Sequence, residues 1–231
     1  MRIIVFGANG PTGRLLTGQA LAVGHDVVAV TRKPGEFPLE HDRLTVFGGD
    51  ALRADSVETA VAGGDAVLSA LGVPYSKEPI TTYSAGVANI VAAMRKYDVR
   101  RISVVSSSAV DPKPYPDAGF LFNRVLQPYI TRVMGKSLYD DMRRMEALLE
   151  ASDLDWTIVR PGGLYELPAV TDYTMVDGWA DGRYTARVDL AAALLRSADE
   201  DRFIRKVVSV VTTIDNPSLF QLIRTEALGK H

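Results

Sequence analysis

The sequence predicts a single-domain α/β fold with a doubly wound, mainly parallel sheet and helices on both faces. Short runs of Val, Ile and Ala alternate with segments of helical spacing along the chain, which is the order that parallel α/β domains require. Several of these runs are almost continuously apolar, as is typical of strands covered on both faces. No internal repeat, low-complexity tract or charge block divides the 231 residues, so we expect one domain over residues 1–231.

The apolar runs predict seven strands, and four segments between them have helical spacing. The predicted strands are Ile3–Phe6, Val27–Thr31, Leu44–Phe47, Ala66–Ala70, Ile102–Ser106, Trp156–Val159 and Val207–Val211. The predicted helices are Thr12–Val23, Asp55–Ala62, Thr81–Lys96 and Leu138–Ala151. The last helix is the clearest, because Ser137 can cap it and Met142, Met145 and Leu149 form an apolar stripe.

The region after the fifth strand breaks this alternation. Asp111–Pro116 contains three prolines and predicts a rigid loop. Apolar residues then recur at helical spacing from Phe122 to Val133, and we expect Pro128 to kink or interrupt that helix. Residues 111–136 and 164–190 are the expected substrate-side segments, and Arg187 to Asp189 resemble the start of a short helix near the substrate.

Composition excludes several classes of function. The chain has 26 Lys and Arg against 28 Asp and Glu, a net charge of −2, so neither nucleic acid nor an anionic membrane is an expected partner. The absence of cysteine and the presence of only three histidines argue against disulfides, a Cys nucleophile, a His-based triad and a metal site. The first apolar run is too short for a signal peptide or a membrane span, and we expect a cytoplasmic protein.

A glycine-rich loop between the first strand and the first helix predicts a dinucleotide site. Close backbone approach and N–H groups at a helix start are what a pyrophosphate needs. Proline suits the first helical position because no N–H is lost there, and the threonine can add a hydroxyl. An ordinary Gly-rich turn is the alternative interpretation. The candidate residues are Gly7, Asn9, Gly10, Pro11, Thr12 and Gly13.

The end of the second strand favours NADP(H) over NAD(H). An NAD-binding chain would be expected to place Asp or Glu there, on the ribose hydroxyls. This chain has Arg32 and Lys33 instead. Arg32 can form bidentate bonds to a 2′-phosphate, with Lys33 as a second charge. The alternative is a pair of solvated charges.

Four segments together resemble the NAD(P)H-binding, NmrA-like group of atypical short-chain dehydrogenases, and most of all its biliverdin reductase B / NADPH-flavin reductase type. The resemblance covers nearly the whole chain and implies a Rossmann-like fold. It does not identify a reaction. The segments are GANGPTGRLL, the pair Gly49-Asp50, Asp65–Gly72 and Leu154–Leu164.

The resemblance also implies site residues. Asp50, next to Ala51, would contact the adenine, and Leu71 and Gly72 would flank the adenosine. Asp50 could instead only cap the following turn, and Gly72 could be a turn glycine.

Further along the chain, Pro161, Gly162 and Gly163 would line the nicotinamide pocket with backbone groups, or they could form a plain strand exit. Ser107 matches a serine beside the nicotinamide in the flavin-reductase relatives and is the candidate catalytic residue, with Ser106 as its neighbour.

The Tyr-x-x-x-Lys pair of catalytic short-chain dehydrogenases does not occur. Leu138 and Met142 stand at its positions. Tyr139 and Arg143, shifted by one, are expected to be a surface pair, and the alternative is a catalytic role. A chain without this relay can still transfer hydride to an acceptor that stabilises its own charge.

We therefore expect NADPH-dependent reduction of a flavin, quinone or similar planar small molecule. Tyr75, Phe120 and Phe122 are candidates for an apolar wall against such a ring, although Phe122 could equally belong to the core. The alternative is a non-catalytic NmrA-like regulator, which alone would need a protein partner.

Overall fold

The computed structural model describes residues 1–76, 78–116 and 118–215, so residues 216–231 of the predicted domain lie outside it. The strands are β1 (Arg2–Phe6), β2 (Asp26–Thr31), β3 (Leu44–Gly48), β4 (Ala66–Ser69), β5 (Arg101–Val105), β6 (Asp155–Pro161), β7 (Gly163–Tyr165), β8 (Thr174–Asp177), β9 (Tyr184–Ala186) and β10 (Lys206–Val211). The helices are α1 (Pro11–Ala22), α2 (Ala54–Val61), α3 (Thr82–Lys96), α4 (Gly119–Leu121), α5 (Gln127–Tyr129), α6 (Lys136–Glu150) and α7 (Arg187–Asp199). π-Helical turns at Phe122–Leu126 and Ile130–Met134 join α4 and α5 into one helix over residues 119–134.

Eight of the strands form a sheet in the order β3-β2-β1-β4-β5-β6-β10-β8. All neighbours are parallel except β8, which pairs antiparallel with β10. The order reverses between β1 and β4, and ligands of such sheets bind at the carboxyl ends of the strands near this point. The predicted fold class and all seven predicted strands are confirmed. The edge strand β8 and the short parallel pair of β7 and β9 were not predicted.

Both faces of the sheet are covered, which explains the continuously apolar strands. Ile3 and Val5 belong to a core cluster with α1 and α7 on one face. Ile4 and Phe6 belong to a second cluster with α2, α3 and α6 on the other. Because side chains alternate along a strand, a strand between two helical layers must be apolar at every position. Helix α7 is a full helix of 13 residues rather than the short helix start that the sequence indicated.

Pro128 does not interrupt its helix, so that part of the expectation of a kink or an interruption is wrong. In the described residues the helix runs without a break from 119 to 134, and its hydrogen-bonding pattern changes instead. The π-helical turns on both sides use wider hydrogen bonds, such as the one from the Gly135 N–H to the Ile130 carbonyl, 2.8 Å long. A proline clashes with the carbonyl four residues earlier in an α-helix, and the wider turns relieve that clash.

Candidate functional site

The predicted site residues are brought together along one edge of the sheet. Parallel strands place their carboxyl ends at the same edge, and each candidate group lies at or just after one of these ends. In the order of the sheet from β3 to β6 they are Asp50, Arg32, Gly7, Leu71, Ser107 and Pro161. Residues from distant parts of the chain thus lie along one continuous edge of the sheet.

Steric contacts explain two glycines of the loop after β1. Gly7 has a φ of +72°, and a Cβ there would lie 2.5 Å from the Ala70 carbonyl oxygen at the end of β4. A Cβ at Gly13 would collide with the carbonyl oxygen of Gly7. The loop therefore packs tightly against β4 and α1 through its own backbone, and its close approach to a pyrophosphate stays a prediction.

The start of α1 has unpaired donors. No side chain caps this helix, and within the described residues the N–H groups of Thr12 and Gly13 have no acceptor. The first turn contains no acidic residue, and a helix start carries a partial positive charge. Asn9 is held in place by Arg14, whose Nε donates to the Asn9 amide oxygen at 2.9 Å. This cradle fits an anionic phosphate group.

Arg32 and Lys33 differ in their surroundings. The exposed guanidinium of Arg32 makes no hydrogen bond or ion pair with any described residue. The ammonium of Lys33 lies 3.0 and 3.1 Å from the two carboxylate oxygens of Glu36. Arg32 is therefore open to a ligand, whereas the charge of Lys33 is already partly balanced.

Asp50 adopts the capping role that was its alternative interpretation. One of its carboxylate oxygens accepts the N–H of Leu52 at 3.0 Å, so contact of the second oxygen with adenine stays a prediction. Ala51 and Leu71 both pack against α3 at Gly86, where an added Cβ would lie 3.3 Å from each side chain.

Gly72 is exposed, and a Cβ added there would meet nothing within 4 Å. Its φ lies outside the positive region. Neither backbone angle nor packing therefore requires glycine at this position, which leaves its backbone open to close approach by a ligand.

Ser106 and Ser107 have different roles. Ser106 is buried, and its hydroxyl donates to the Glu146 carboxylate at 2.6 Å. This hydrogen bond argues against the predicted contact of its side chain with a cofactor. Ser107 is half-buried, and its oxygen accepts the Ala109 N–H at 3.2 Å. No described residue accepts the Ser107 hydroxyl proton, so this proton is available to a ligand.

Glu146 is the centre of a buried network that the sequence did not reveal. Arg160, at the end of β6, donates to both of its carboxylate oxygens at 2.9 and 2.6 Å. Burial alone lowers the pKa of Arg160, but hydrogen bonding and charge attraction from Glu146, together with Asp111 and Glu150, outweigh it and raise the pKa. The network ties the ends of β5 and β6 to α6. An arginine inside an apolar strand was the only sequence signal for it.

The glycines after β6 form a strand exit, not a set of free donors. The Gly162 N–H donates to the Thr185 hydroxyl oxygen at 2.9 Å, and the Gly163 N–H donates to the Arg183 carbonyl at 2.7 Å. A Cβ at Gly162 would collide with that carbonyl. These hydrogen bonds at the approach of β9 fit the strand exit that was the alternative interpretation. The lining of a nicotinamide pocket by backbone groups of residues 161–163 stays a prediction. Pro161 has no N–H to offer.

Tyr139 and Arg143 lie in different surroundings. Tyr139 is buried, and its hydroxyl lies 2.8 Å from the hydroxyl of Tyr75. Arg143 donates to the Val110 carbonyl at 3.0 Å and to Asp140 at 2.7 Å. The expectation of a surface pair is wrong, because α6 turns Tyr139 towards the interior.

The usual positions of the proton relay are apolar and buried. Leu138 and Met142 both pack in the core cluster beneath α6. Tyr83 is close in the fold, but its hydroxyl accepts the Val73 N–H. Burial raises the pKa of Tyr83 to about 12, so it is a poor acid at neutral pH.

The two predicted substrate-side segments meet beside this edge. The Arg183 guanidinium lies over the rings of Phe122, at 5.8 Å, and Tyr184, at 5.4 Å. Phe122 also contacts Tyr115, with 6.2 Å between the ring centres. Phe120, by contrast, is exposed. The half-buried Phe122 thus belongs to an aromatic wall next to Gly162, while Phe120 lies outside it.

Asp189 shapes the second of these segments from inside. It is fully buried in the first turn of α7 and accepts hydrogen bonds from the Thr171 N–H at 2.8 Å, the Thr171 hydroxyl at 2.7 Å and the Thr212 hydroxyl at 2.6 Å. Arg187 pairs with Glu166 at 2.8 Å. Asp189 is therefore a structural link between the loop before β8, α7 and the end of β10.

Two other kinds of site are absent from the part of the chain that the structure describes. It contains no group of three or more His, Asp or Glu side chains placed to hold a metal ion. None of its helices combines the length and the apolar character needed to span a membrane.

Comparison with known proteins identifies the family. A family model described as NAD(P)H-binding matches residues 7–201. The chain belongs to the NAD(P)H-binding family. Members of this family are oxidoreductases with a Rossmann-like fold, and the match confirms the resemblance found in the glycine loop and the segment after α6.

Individual relatives show the fold and leave the reaction open. A short-chain dehydrogenase/reductase of Veillonella parvula, solved with NADP, has a TM-score of 0.77 at 24% identity over 94% of this chain and 99% of its own. The anaerobillin reductase ChuY of Escherichia coli O157:H7 has a TM-score of 0.70 at 22% identity over 94% and 100%.

Curated relatives match the chain either distantly over most of its length or over about half of it. The photosystem II assembly factor Ycf39 of a Synechocystis species is 24% identical over 91% of this chain and 62% of its own. The chain spans only 13% of the length of the mycobacterial relatives that it matches at 36% identity over 114 residues.

Proposed function

We propose that the NAD(P)H-binding family member described here prefers NADPH to NADH. The N–H groups of Thr12 and Gly13, which no described residue accepts, suit the pyrophosphate. The open guanidinium of Arg32 suits a 2′-phosphate, because it can make bidentate, charge-assisted hydrogen bonds. The Veillonella relative was solved with NADP, which supports the proposal.

We further propose that the reaction is hydride transfer to a flavin, a quinone or a similar planar conjugated acceptor. The observation that carries this proposal is the pair of buried apolar side chains, Leu138 and Met142, at the positions of the proton relay. An acceptor that delocalises its own negative charge needs no strong acid from the protein. When bound, the nicotinamide supplies the hydride.

The chain itself supplies orientation and exclusion of water. Ser107 offers a hydroxyl donor at the end of β5, and the Glu146–Arg160 pair fixes the strand end on which it lies. The aromatic wall that includes Phe122 offers a flat apolar surface to a ring. The relative ChuY, an anaerobillin reductase, supports a reductase activity.

A second candidate is a dinucleotide-binding regulator that acts through a protein partner. The exposed apolar side chains on the helix over residues 119–134 favour it, because such surfaces are often interaction sites. The assembly factor among the relatives supports it as well.

Two measurements separate these candidates. NADPH and NADH binding is measured by titration, and NADPH oxidation is followed by absorbance with FMN, a quinone and an aldehyde. We expect tighter binding of NADPH and turnover with FMN or the quinone. Binding of NADPH without its oxidation by FMN or the quinone would favour the regulator, and failure to bind NADPH would refute both candidates.

A cytoplasmic location of the protein stays a prediction.

A further inference from the structure

An apolar stripe runs along the outer face of the helix over residues 119–134. It consists of Leu121, Val125, Tyr129 and Val133, whose exposed fractions are 71%, 54%, 51% and 63%. The spacing of four residues places them on one face. A continuous exposed apolar surface of this kind is typical of a contact site. The interior side chains of the same helix, such as Phe122, face the aromatic wall instead.

The described part of the chain ends close to this helix. The backbone carbonyl of Ile214 accepts the hydroxyl of Tyr165 at 2.7 Å. The ring of Tyr165 lies 6.5 Å from that of Tyr184, and Arg183 connects Tyr184 to Phe122 through ring contacts of 5.4 and 5.8 Å. Only three side chains therefore separate Ile214 from the helix that carries the stripe.

The residues that follow, 216–231, have a sequence suited to this surface. Ser218 and Gln221 have the spacing of a capping box. Apolar residues then recur at helical intervals. Extended, this segment could reach about 50 Å, so its length does not prevent it from reaching the stripe. The apolar residues are Leu219, Leu222, Ile223 and Ala227.

We propose that residues 216–231 bind along the apolar stripe of the same molecule. The apolar residues around Ile223 would remove Val125 and Tyr129 from water, which is favourable for both surfaces. A tethered segment also has an advantage over a free partner, because its effective concentration near its site is in the millimolar range. This inference does not depend on the proposed hydride transfer, and it competes with the regulator candidate for the same surface.

The absence of cysteine from the chain allows a direct test by disulfide cross-linking. One variant combines Tyr129→Cys on the stripe with Ile223→Cys. The matched control combines Val23→Cys with Ile223→Cys. Val23 is an equally exposed apolar residue, but it follows α1 at the opposite edge of the sheet. All introduced cysteines in the described part replace exposed side chains, so the fold is preserved, which circular dichroism verifies.

We expect a cross-link within one chain that forms about tenfold faster in the stripe variant than in the control, at a rate independent of protein concentration. Equal rates in both variants, or no cross-link in either, would overturn the proposal. A disulfide between two chains whose yield falls on dilution would also overturn it and assign the stripe to a second copy. Binding of the full chain to phosphatidylserine vesicles without the internal cross-link would overturn it in favour of a lipid surface.

Discussion

The two halves of the candidate site use their hydrogen-bonding groups in opposite ways. At the ends of β1 and β2, the N–H groups of Thr12 and Gly13 and the guanidinium of Arg32 have no partner among the described residues. At the ends of β5 and β6, the Ser106 hydroxyl and the N–H groups of the two glycines are all used inside the protein.

This difference separates the groups that are open to a ligand from the groups that hold the fold together. The half at β1 and β2, the phosphate half, keeps its donors for a ligand and needs few internal contacts. The half at β5 and β6, the acceptor half, uses its polar groups to hold distant segments together. We propose that Ser107 and the aromatic wall are the parts of this half that face a ligand. Variants in the acceptor half should therefore affect stability first, and variants in the phosphate half should affect ligand binding first.

The largest effect is expected in the acceptor half, from Glu146→Ala. This change leaves Arg160 and Ser106 without their shared partner, and removing one member of a buried ion pair costs about 3 kcal/mol or more. Urea unfolding measures the loss. The control is Glu58→Ala, which breaks an exposed pair with Lys96 and should cost little stability, because solvent screens exposed ion pairs. Equal losses would show that the network does not stabilise this half.

The next effect concerns Gly13→Ala in the phosphate half. The new methyl group would collide with the Gly7 carbonyl, and such overpacking costs about 1–3 kcal/mol. It should also weaken NADPH binding, because the cradle must open to make room. Gly18→Ala lies in the same helix with nothing within 4 Å of the new Cβ, and it should raise stability by about 0.5–1 kcal/mol. A stable Gly13→Ala protein with unchanged binding would contradict this account of the loop.

A change confined to binding is expected for Arg32→Ala. Loss of a charge-assisted bidentate contact costs about 1.5–3 kcal/mol, so the dissociation constant of NADPH should rise roughly tenfold or more, with that of NADH unchanged. Lys33→Ala also removes one positive charge. Because that charge is already paired with Glu36, its loss should raise the dissociation constant of NADPH less. The proposed cofactor preference fails if wild type binds both dinucleotides equally.

The smallest effects separate the two serines. Ser107→Ala removes one hydroxyl donor, which is worth about 1 kcal/mol, and should lower kcat. It also removes the acceptor of the Ala109 N–H, so the unfolding midpoint should fall slightly. Ser106→Ala removes the buried hydrogen bond to Glu146 and should lower the unfolding midpoint more, with little effect on kcat. Steady-state kinetics and thermal unfolding of both variants test the assignment, and an exchange of the two outcomes would reverse it.

The sequence alone determined the fold class, the order of the strands along the chain, and the positions of the glycine loop and Arg32 at the ends of β1 and β2. These features are local: Gly7 to Gly13 occupy one turn between β1 and α1, and Arg32 directly follows β2. The alternation of apolar runs and helical segments is equally local. Backbone shape and hydrogen bonding within a few residues fix such features, so a linear pattern is enough to predict them.

Only the tertiary structure decided the roles in the acceptor half. Ser106 and Glu146 are 40 positions apart, and Gly162 is 23 positions from the Thr185 that binds its N–H. Which polar group is free there depends on which distant segment packs against it. A sequence motif indicates that some group approaches the backbone of Gly162 closely. It does not show whether that group belongs to a ligand or to β9. The physical reason is that buried polar groups must be paired, and the partner is chosen by packing rather than by sequence neighbours.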